Sequence, residues 1–118
     1  MMFKILLIFW LIVFFRWAFP LGVTVGNSMY PTHKDGDILV FTRLFFVVKP
    51  SKVYLFTRKL DNGETRHIIK RVSRIKDGCQ YYVLGDNPDE SLDSRYYGYL
   101  SNRNLVGKYL FTIRRRKY

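Results

Sequence analysis

The feature that most constrains the fold of this 118-residue chain is a change of pattern at Pro20. Beyond Pro20, short segments rich in β-branched and aromatic residues alternate with turn residues, which is typical of strands. The segments are DILVFT (37–42), VYLFTR (53–58), RHIIKRVSRI (66–75), QYYVL (80–84) and LVGKYLFTI (105–113). Asn62-Gly63 and Asp77-Gly78 are strong hairpin signals between them. The pattern predicts a mostly β protein, with one small antiparallel β domain over residues 22–118.

The apolar run at the N-terminus predicts a membrane anchor. Ile5 to Phe15 contains eleven apolar residues without a break, bracketed by Lys4 and Arg16. As a helix this run would span roughly 16 Å, less than the ~30 Å hydrocarbon core, but lysine and arginine can snorkel to the headgroups. We therefore expect one transmembrane helix over residues 1–21, in the cell membrane, with the β domain on the outer side. A cleavable signal peptide and an apolar core helix are the alternative interpretations.

Composition leaves two kinds of partner open. Twenty Lys and Arg against nine Asp and Glu give a net charge of +11, which attracts anionic lipid or nucleic acid. The aromatic content of 18% suits base stacking, membrane interfaces or a small β core. The single cysteine, Cys79, excludes an internal disulfide, and no Cys/His cluster has metal-ligand spacing. The sequence therefore predicts neither a metal nor a cofactor.

Turn-forming residues surround Ser28 in the stretch GNSMYPTHKDGD (26–37). An ordinary turn is the simplest interpretation, because Gly, Asn, Ser and Pro each favour turns. The alternative is a serine on a tight, exposed turn that a peptide carbonyl can reach. The backbone N–H of Ser28 could then donate to a developing oxyanion.

A lysine on an apolar strand face is the second candidate for chemistry. In RHIIKRV (66–72), strand alternation puts Ile68, Lys70 and Val72 on one face. Burial disfavours the ammonium form, so we expect the pKa of Lys70 to fall, and the positive charge of Arg71 to act in the same direction. A neutral lysine is a general base for a serine. The alternative is an edge-strand lysine that snorkels to water.

Three segments, taken in order, resemble a known family. They are GNSMYPT…GD, IIKRV and GDNPDESLDSRYYG…NLVGK, the last beginning with the polar, turn-rich loop 85–95. They are similar to the successive boxes of type I signal peptidases, membrane-anchored Ser/Lys proteases that remove signal peptides from exported proteins. The resemblance extends from about Val25 to Lys108.

The resemblance implies a role for five residues. Ser28 would be the nucleophile, and Lys70 its general base and later the acid that protonates the leaving amine. Ser91 would hydrogen-bond the lysine amine and orient it. Asp93 and Arg95 would form a supporting ion pair. The resemblance further implies that preproteins with signal peptides and the lipid bilayer are the partners, without a cofactor.

The resemblance also bears on the substrate groove and on the second hydrogen-bond donor to the oxyanion. Met29 and Pro31 would help to line the substrate groove. Some relatives have a serine two residues before the nucleophile that donates a second hydrogen bond to the oxyanion, and here that position is Gly26.

Two other functions are possible: a non-catalytic, membrane-anchored assembly factor with a peptidase-like groove, and a basic nucleic-acid-binding β domain. Intact Ser28 and Lys70 argue against the first. The apolar N-terminus and the acidic DNPDES stretch argue against nucleic acid as a partner.

Overall fold

The computed structural model describes residues 2–44 and 47–114. An N-terminal helix, α1 (Met2–Ala18), precedes a sheet, and a one-turn helix, α2 (Ser94–Tyr97), lies between its fifth and sixth strands. The strands are β1 (Leu21–Val23), β2 (Ile38–Thr42), β3 (Val53–Lys59), β4 (Thr65–Lys76), β5 (Gln80–Leu84), β6 (Leu100–Ser101) and β7 (Leu105–Arg114).

The strands pair in the order β1-β2-β7-β3-β4-β5-β6, and every pair is antiparallel. The prediction of a mostly β, antiparallel domain is thereby confirmed, and each of the five predicted segments forms a strand. The sequence did not predict β1 and β6, because strands of three and two residues are too short to show an alternating pattern.

Both predicted hairpin turns are present. Asn62-Gly63 lies in the connection from β3 to β4, where the Leu60 N–H donates to the Glu64 carbonyl at 2.7 Å. Asp77 and Gly78 connect β4 to β5 with φ angles of 54° and 72°. Positive φ at both central residues matches the right-handed twist of the flanking strands. These turns set the register of β4, which carries Lys70.

Strand β3 separates two apolar clusters, because its successive side chains point to opposite faces. Tyr54 and Phe56 belong to the first cluster, which also contains Val72, Tyr81, Val83 and Leu100. Leu55 belongs to the second, with Leu39 and Phe41. Lys70 pairs directly with Tyr54 across the β3–β4 ladder, so its side chain lies at the margin of the first cluster.

The N-terminal helix is shorter than the transmembrane helix predicted over residues 1–21. Pro20 ends the helix early, because a proline disfavours helical backbone at the residue before it, and α1 stops at Ala18. Its 17 residues would span about 26 Å, less than the ~30 Å hydrocarbon core. Among the residues that the structure describes, no helix is both long enough and apolar enough to cross a membrane. The side chains from Met2 to Trp17 are nevertheless all exposed.

Candidate active site

Ser28 lies in the connection between β1 and β2, whose two arms are tied to each other. The Thr24 N–H donates to the Asp37 carbonyl at 2.8 Å, and the Gly26 N–H donates to Asp35 Oδ1 at the same distance. Gly26 has a φ of +83°, a conformation that a side chain would strain. The Tyr30 N–H then closes a turn on the Asn27 carbonyl at 3.1 Å, which presents Ser28 at the turn.

Lys70 reaches Ser28 from the middle of β4. Its Nζ lies 2.9 Å from Ser28 Oγ, although the two residues are 42 positions apart in the sequence. Its side chain is only 4% exposed, and it shares a face with buried Val72 and half-buried Ile68. The predicted apolar face is therefore present, and the alternative of a lysine that snorkels to water does not describe this side chain.

Burial is the main influence on the pKa of Lys70, and it lowers that pKa below the ordinary lysine value. The carboxylates of Asp93 and Asp86 oppose this shift and raise the pKa, but they do not cancel it. Arg71 does not act as expected, because it pairs with Asp86 instead of facing Lys70 as a free charge. The structure thus favours the neutral amine through desolvation.

Asp93 organises the loop on the other side of the site. It is completely buried, and burial by itself would raise the pKa of its carboxyl group. Hydrogen bonds from the Arg95 side chain, the Gly85 N–H and Ser91 outweigh burial and hold the pKa at about 2. The carboxylate also caps α2 by accepting the Arg95 N–H. Asp93 and Arg95 form an ion pair, with 2.9 Å between Arg95 Nε and Asp93 Oδ1.

Ser91 makes a different contact from the one expected. Its Oγ donates to Asp93 Oδ2 at 2.8 Å, and no hydrogen bond joins it to Lys70. Ser91 is nevertheless close to the nucleophile loop, with only Gly85 between them. A Cβ on Gly85 would lie 2.1 Å from Ser91 Oγ and 2.6 Å from the Ser28 carbonyl oxygen. Glycine is therefore required for the two serines to approach this closely.

The sequence did not single out a second ion pair, which fixes the Ser28 loop from the opposite face of β4. Arg71 Nε and a second nitrogen of its guanidinium donate to the two oxygens of Asp86 at 2.8 and 2.7 Å. Thr32 donates its hydroxyl to the same carboxylate at 2.6 Å, and the Asn87 N–H donates to the Ser28 carbonyl at 2.9 Å. In the sequence, Asp86 and Asn87 follow Gly85 in the third of the segments that resemble the family. No local pattern indicated which residues they contact.

A groove of about 650 Å³ opens beside Ser28 and Lys70. Its walls come from β1 and the residues after it, from the loop around Ser28, and from the first half of β4; they include Val23, Val25, Met29, Ile68, Ile69 and Leu92. Met29 lines this groove, whereas Pro31 is exposed and lies outside the lining.

The edge of β4, and not one of its faces, borders this groove. Five consecutive residues, 66–70, line it, which side chains from a single face could not do. Within β4, strand β5 pairs only with Arg71–Lys76, so among the described strands the first half of β4 has a partner on the β3 side alone. Its outer N–H and C=O groups are thus available to an extended chain.

Comparison with known proteins supports a peptidase. Residues 61–113, which contain Lys70 and the loop with Ser91, Asp93 and Arg95, match the family described as signal peptidase, peptidase S26. Signal peptidase I of Bacillus caldolyticus is 34% identical over 61 residues, which cover 52% of this chain and 33% of that protein. Signal peptidase I of Buchnera aphidicola from Baizongia pistaciae is 59% identical over 32 residues, or 27% of this chain and 10% of that protein.

These matches confirm the resemblance to type I signal peptidases. The matched part of the chain spans between a tenth and a third of the length of these two relatives. The similarity is therefore to peptidases of the S26 type, over part of the chain.

Proposed function

We propose that the chain is an endopeptidase that cleaves signal peptides from exported preproteins with Ser28 and Lys70. The observation that supports this most is the 2.9 Å contact between Lys70 Nζ and Ser28 Oγ, made by a lysine that is 4% exposed. A nucleophile within hydrogen-bond reach of a base whose pKa is lowered is the arrangement that covalent catalysis needs.

The substrate would bind as an added strand. The open edge of β4 at residues 66–70 offers backbone N–H and C=O groups to an extended peptide. The apolar side chains of Val25, Met29 and Ile69 lie along the same groove. A chain held in this way would pass Ser28 with its carbonyl groups at regular intervals, so that one of them meets the hydroxyl.

The chemistry follows from the same contact. Neutral Lys70 takes the proton of Ser28 Oγ as the oxygen attacks the peptide carbonyl, and the Ser28 N–H would donate to the oxyanion. The Lys70 ammonium then protonates the leaving amine, which breaks the peptide bond and leaves an ester on Ser28. In the second half, Lys70 deprotonates a water that attacks the ester, and the proton returns to Ser28 Oγ.

The neighbouring residues would hold this geometry. Asp93, kept charged by Arg95 and by the Gly85 N–H, accepts the hydroxyl proton of Ser91 and so fixes the orientation of that hydroxyl. In this role Ser91 would accept a hydrogen bond from the lysine amine, as the resemblance implies. Arg71 and Asp86 hold the Ser28 loop through Thr32.

We further propose that α1 keeps the catalytic domain at a lipid surface, on the outer side of the cell membrane. Its exposed side chains are almost all apolar, with Lys4 and Arg16 near its two ends. Such a surface is stabilised by lipid and not by water. The full chain should float with liposomes in a density gradient, and Leu11→Lys should weaken flotation. Flotation of neither protein would contradict this role for α1.

The function is tested by incubating the detergent-solubilised protein with a preprotein that carries a small-x-small cleavage site. We expect the mature product to accumulate with the wild-type chain and not with Ser28→Ala. Equal cleavage by both would exclude Ser28 as the nucleophile. Binding of the preprotein without cleavage would instead favour the non-catalytic assembly factor.

A further inference from the structure

The end of the groove away from Ser28 carries an unusual pair of arginines. Arg58 on β3 and Arg66 on β4 are direct partners in the antiparallel ladder, so their side chains leave the same face of the sheet. Both line the groove that contains Ser28 and Lys70. Like charges directly opposite each other destabilise a sheet, so the pair costs stability in the free protein.

Neither arginine has an acidic partner within the described part of the chain. The ion pairs found there are Arg71–Asp86 and Arg95–Asp93. The guanidinium of Arg58 lies over the ring of Tyr97, 4.3 Å from its centroid, which holds the group in place without neutralising it. Arg66 is exposed. Two charged groups with free N–H donors therefore converge at this end of the groove.

The charge of the groove changes along its length. Glu90 also lines it, and its carboxylate accepts a hydrogen bond from the Asn87 side chain at 3.4 Å. Asn87 in turn binds the Ser28 carbonyl, which places Glu90 by the nucleophile loop. The groove is therefore acidic beside this loop and basic at Arg58 and Arg66.

We propose that Arg58 and Arg66 bind an acidic side chain of the peptide substrate, about four residues from the bond that is cleaved. This inference rests on the proposed function, because it requires an extended peptide in the groove. The spacing follows from β4: Arg66 precedes Lys70 by four residues, or about 13 Å along a strand, and a peptide paired with that strand keeps the same rise. Guanidinium groups match a carboxylate in two-point hydrogen bonds.

The test uses a series of peptides that differ only in Glu, Gln or Lys, placed three to five residues on either side of the cleavage site. At one such position the wild-type protein should cleave the Glu peptide about 3- to 20-fold faster in kcat/KM than the Gln peptide, the range expected for partly exposed to well-formed charged hydrogen bonds. The Lys peptide should be slowest, and added salt should reduce the preference.

Three variants test whether Arg66 is responsible for the preference for Glu. Arg66→Gln should remove the preference for Glu, and Arg66→Glu should reverse it in favour of Lys. Arg103→Gln is the matched control, because Arg103 is an exposed arginine away from the groove, and it should keep the wild-type preference. Thermal unfolding of each variant shows whether the fold is retained.

A binding measurement separates failure of this inference from failure of the proposed function. Fluorescently labelled Glu and Gln peptides are titrated into Ser28→Ala and into Ser28→Ala with Arg66→Gln. Tighter binding of the Glu peptide to the first protein alone supports the inference. Cleavage by the wild type without any acidic preference overturns it and leaves the function intact, whereas a folded wild type that neither cleaves nor binds overturns both. Loss of binding to anionic phosphatidylglycerol vesicles in Arg66→Gln, with an unchanged peptide preference, would assign the arginines to lipid and overturn the inference.

Discussion

The two faces of β4 present adjacent cations in opposite ways. On one face, Lys70 is 4% exposed, contacts Ser28 Oγ and has no carboxylate within ion-pair distance among the described residues. On the other face, Arg71 donates two hydrogen bonds to Asp86 and a third, at 2.6 Å, to the Ser51 carbonyl. A lysine that must lose its proton is kept from carboxylates, while an arginine that holds a loop is matched to one.

The two carboxylates that act on Lys70 are themselves paired with arginines. Asp93 and Asp86 both act on Lys70 by raising its pKa, but each is already occupied by an arginine. Neutralisation by Arg95 and Arg71 weakens their pull on the lysine proton. Burial can then remain the larger influence, which lowers the pKa of Lys70. The predictions below test each side of this arrangement.

Among the residues that support the Ser28–Lys70 pair, the largest effect on rate is expected at Ser91, on the Lys70 side. Ser91→Ala removes the hydroxyl held by Asp93 and should slow cleavage roughly 10- to 10³-fold without abolishing it, as the loss of one positioned catalytic hydrogen bond does. Single-turnover cleavage of the preprotein measures this. Ser73→Ala, at an exposed serine on β4, the strand that carries Lys70, should remain at the wild-type rate. An equal rate in the two variants would show that Ser91 does not support the lysine.

Asp93 should make the fold sensitive to acid. Its pKa of about 2 lies below the ordinary value of about 3.9, so the charged form stabilises the native state by about 2 kcal/mol above pH 4. That contribution is lost as the pH falls from about 4 through about 2, where the native carboxylate becomes protonated.

Urea unfolding between pH 2 and 7 measures the contribution of Asp93. Asp93→Asn cannot gain that proton, so its deficit in free energy of unfolding relative to the wild type should shrink across the same window. A deficit that stays constant with pH would show that the carboxylate is not specially stabilised in the native state.

A smaller effect is expected on the Arg71 side. Asp86→Asn weakens the hold on Arg71 and Thr32, and the slightly misplaced Ser28 loop should lose about 10-fold in kcat. Because Asp86 raises the pKa of Lys70, its removal should also shift the midpoint of the pH–rate profile to lower pH. Asp61→Asn, in the exposed β3–β4 turn, is the control for loss of one charge. A profile that moves to higher pH would contradict this account of Asp86.

Local patterns in the sequence were sufficient for the five longer strands and for the Lys70 face. Alternation placed Ile68 and Val72 beside Lys70, and the turn residues located both hairpins. The apolar run at the N-terminus forms a helix, as the sequence predicted. The predicted helix was too long because the effect of Pro20 was not taken into account.

The remaining features depend on contacts that are distant in sequence. Asp86 meets Thr32 across 54 positions, and the Arg71–Asp86 pair forms only because the β4–β5 hairpin brings the loop after β5 back to β4. The orientation of the Ser91 hydroxyl toward Asp93 depends on the cap of α2. No periodicity or motif spacing encodes such contacts, because they follow from how the strands pair.

The central claim is that Lys70 is the base, and a pH–rate profile of the wild type beside Lys70→Arg tests it most directly. Arginine keeps the charge but cannot give up its proton near neutral pH, so this variant should be nearly inactive at every pH. The wild-type rate should rise with pH as Lys70 loses its proton, with a midpoint below the value of about 10.4 for a free lysine. Substantial activity in Lys70→Arg, or a wild-type midpoint near that of free lysine, would contradict the mechanism.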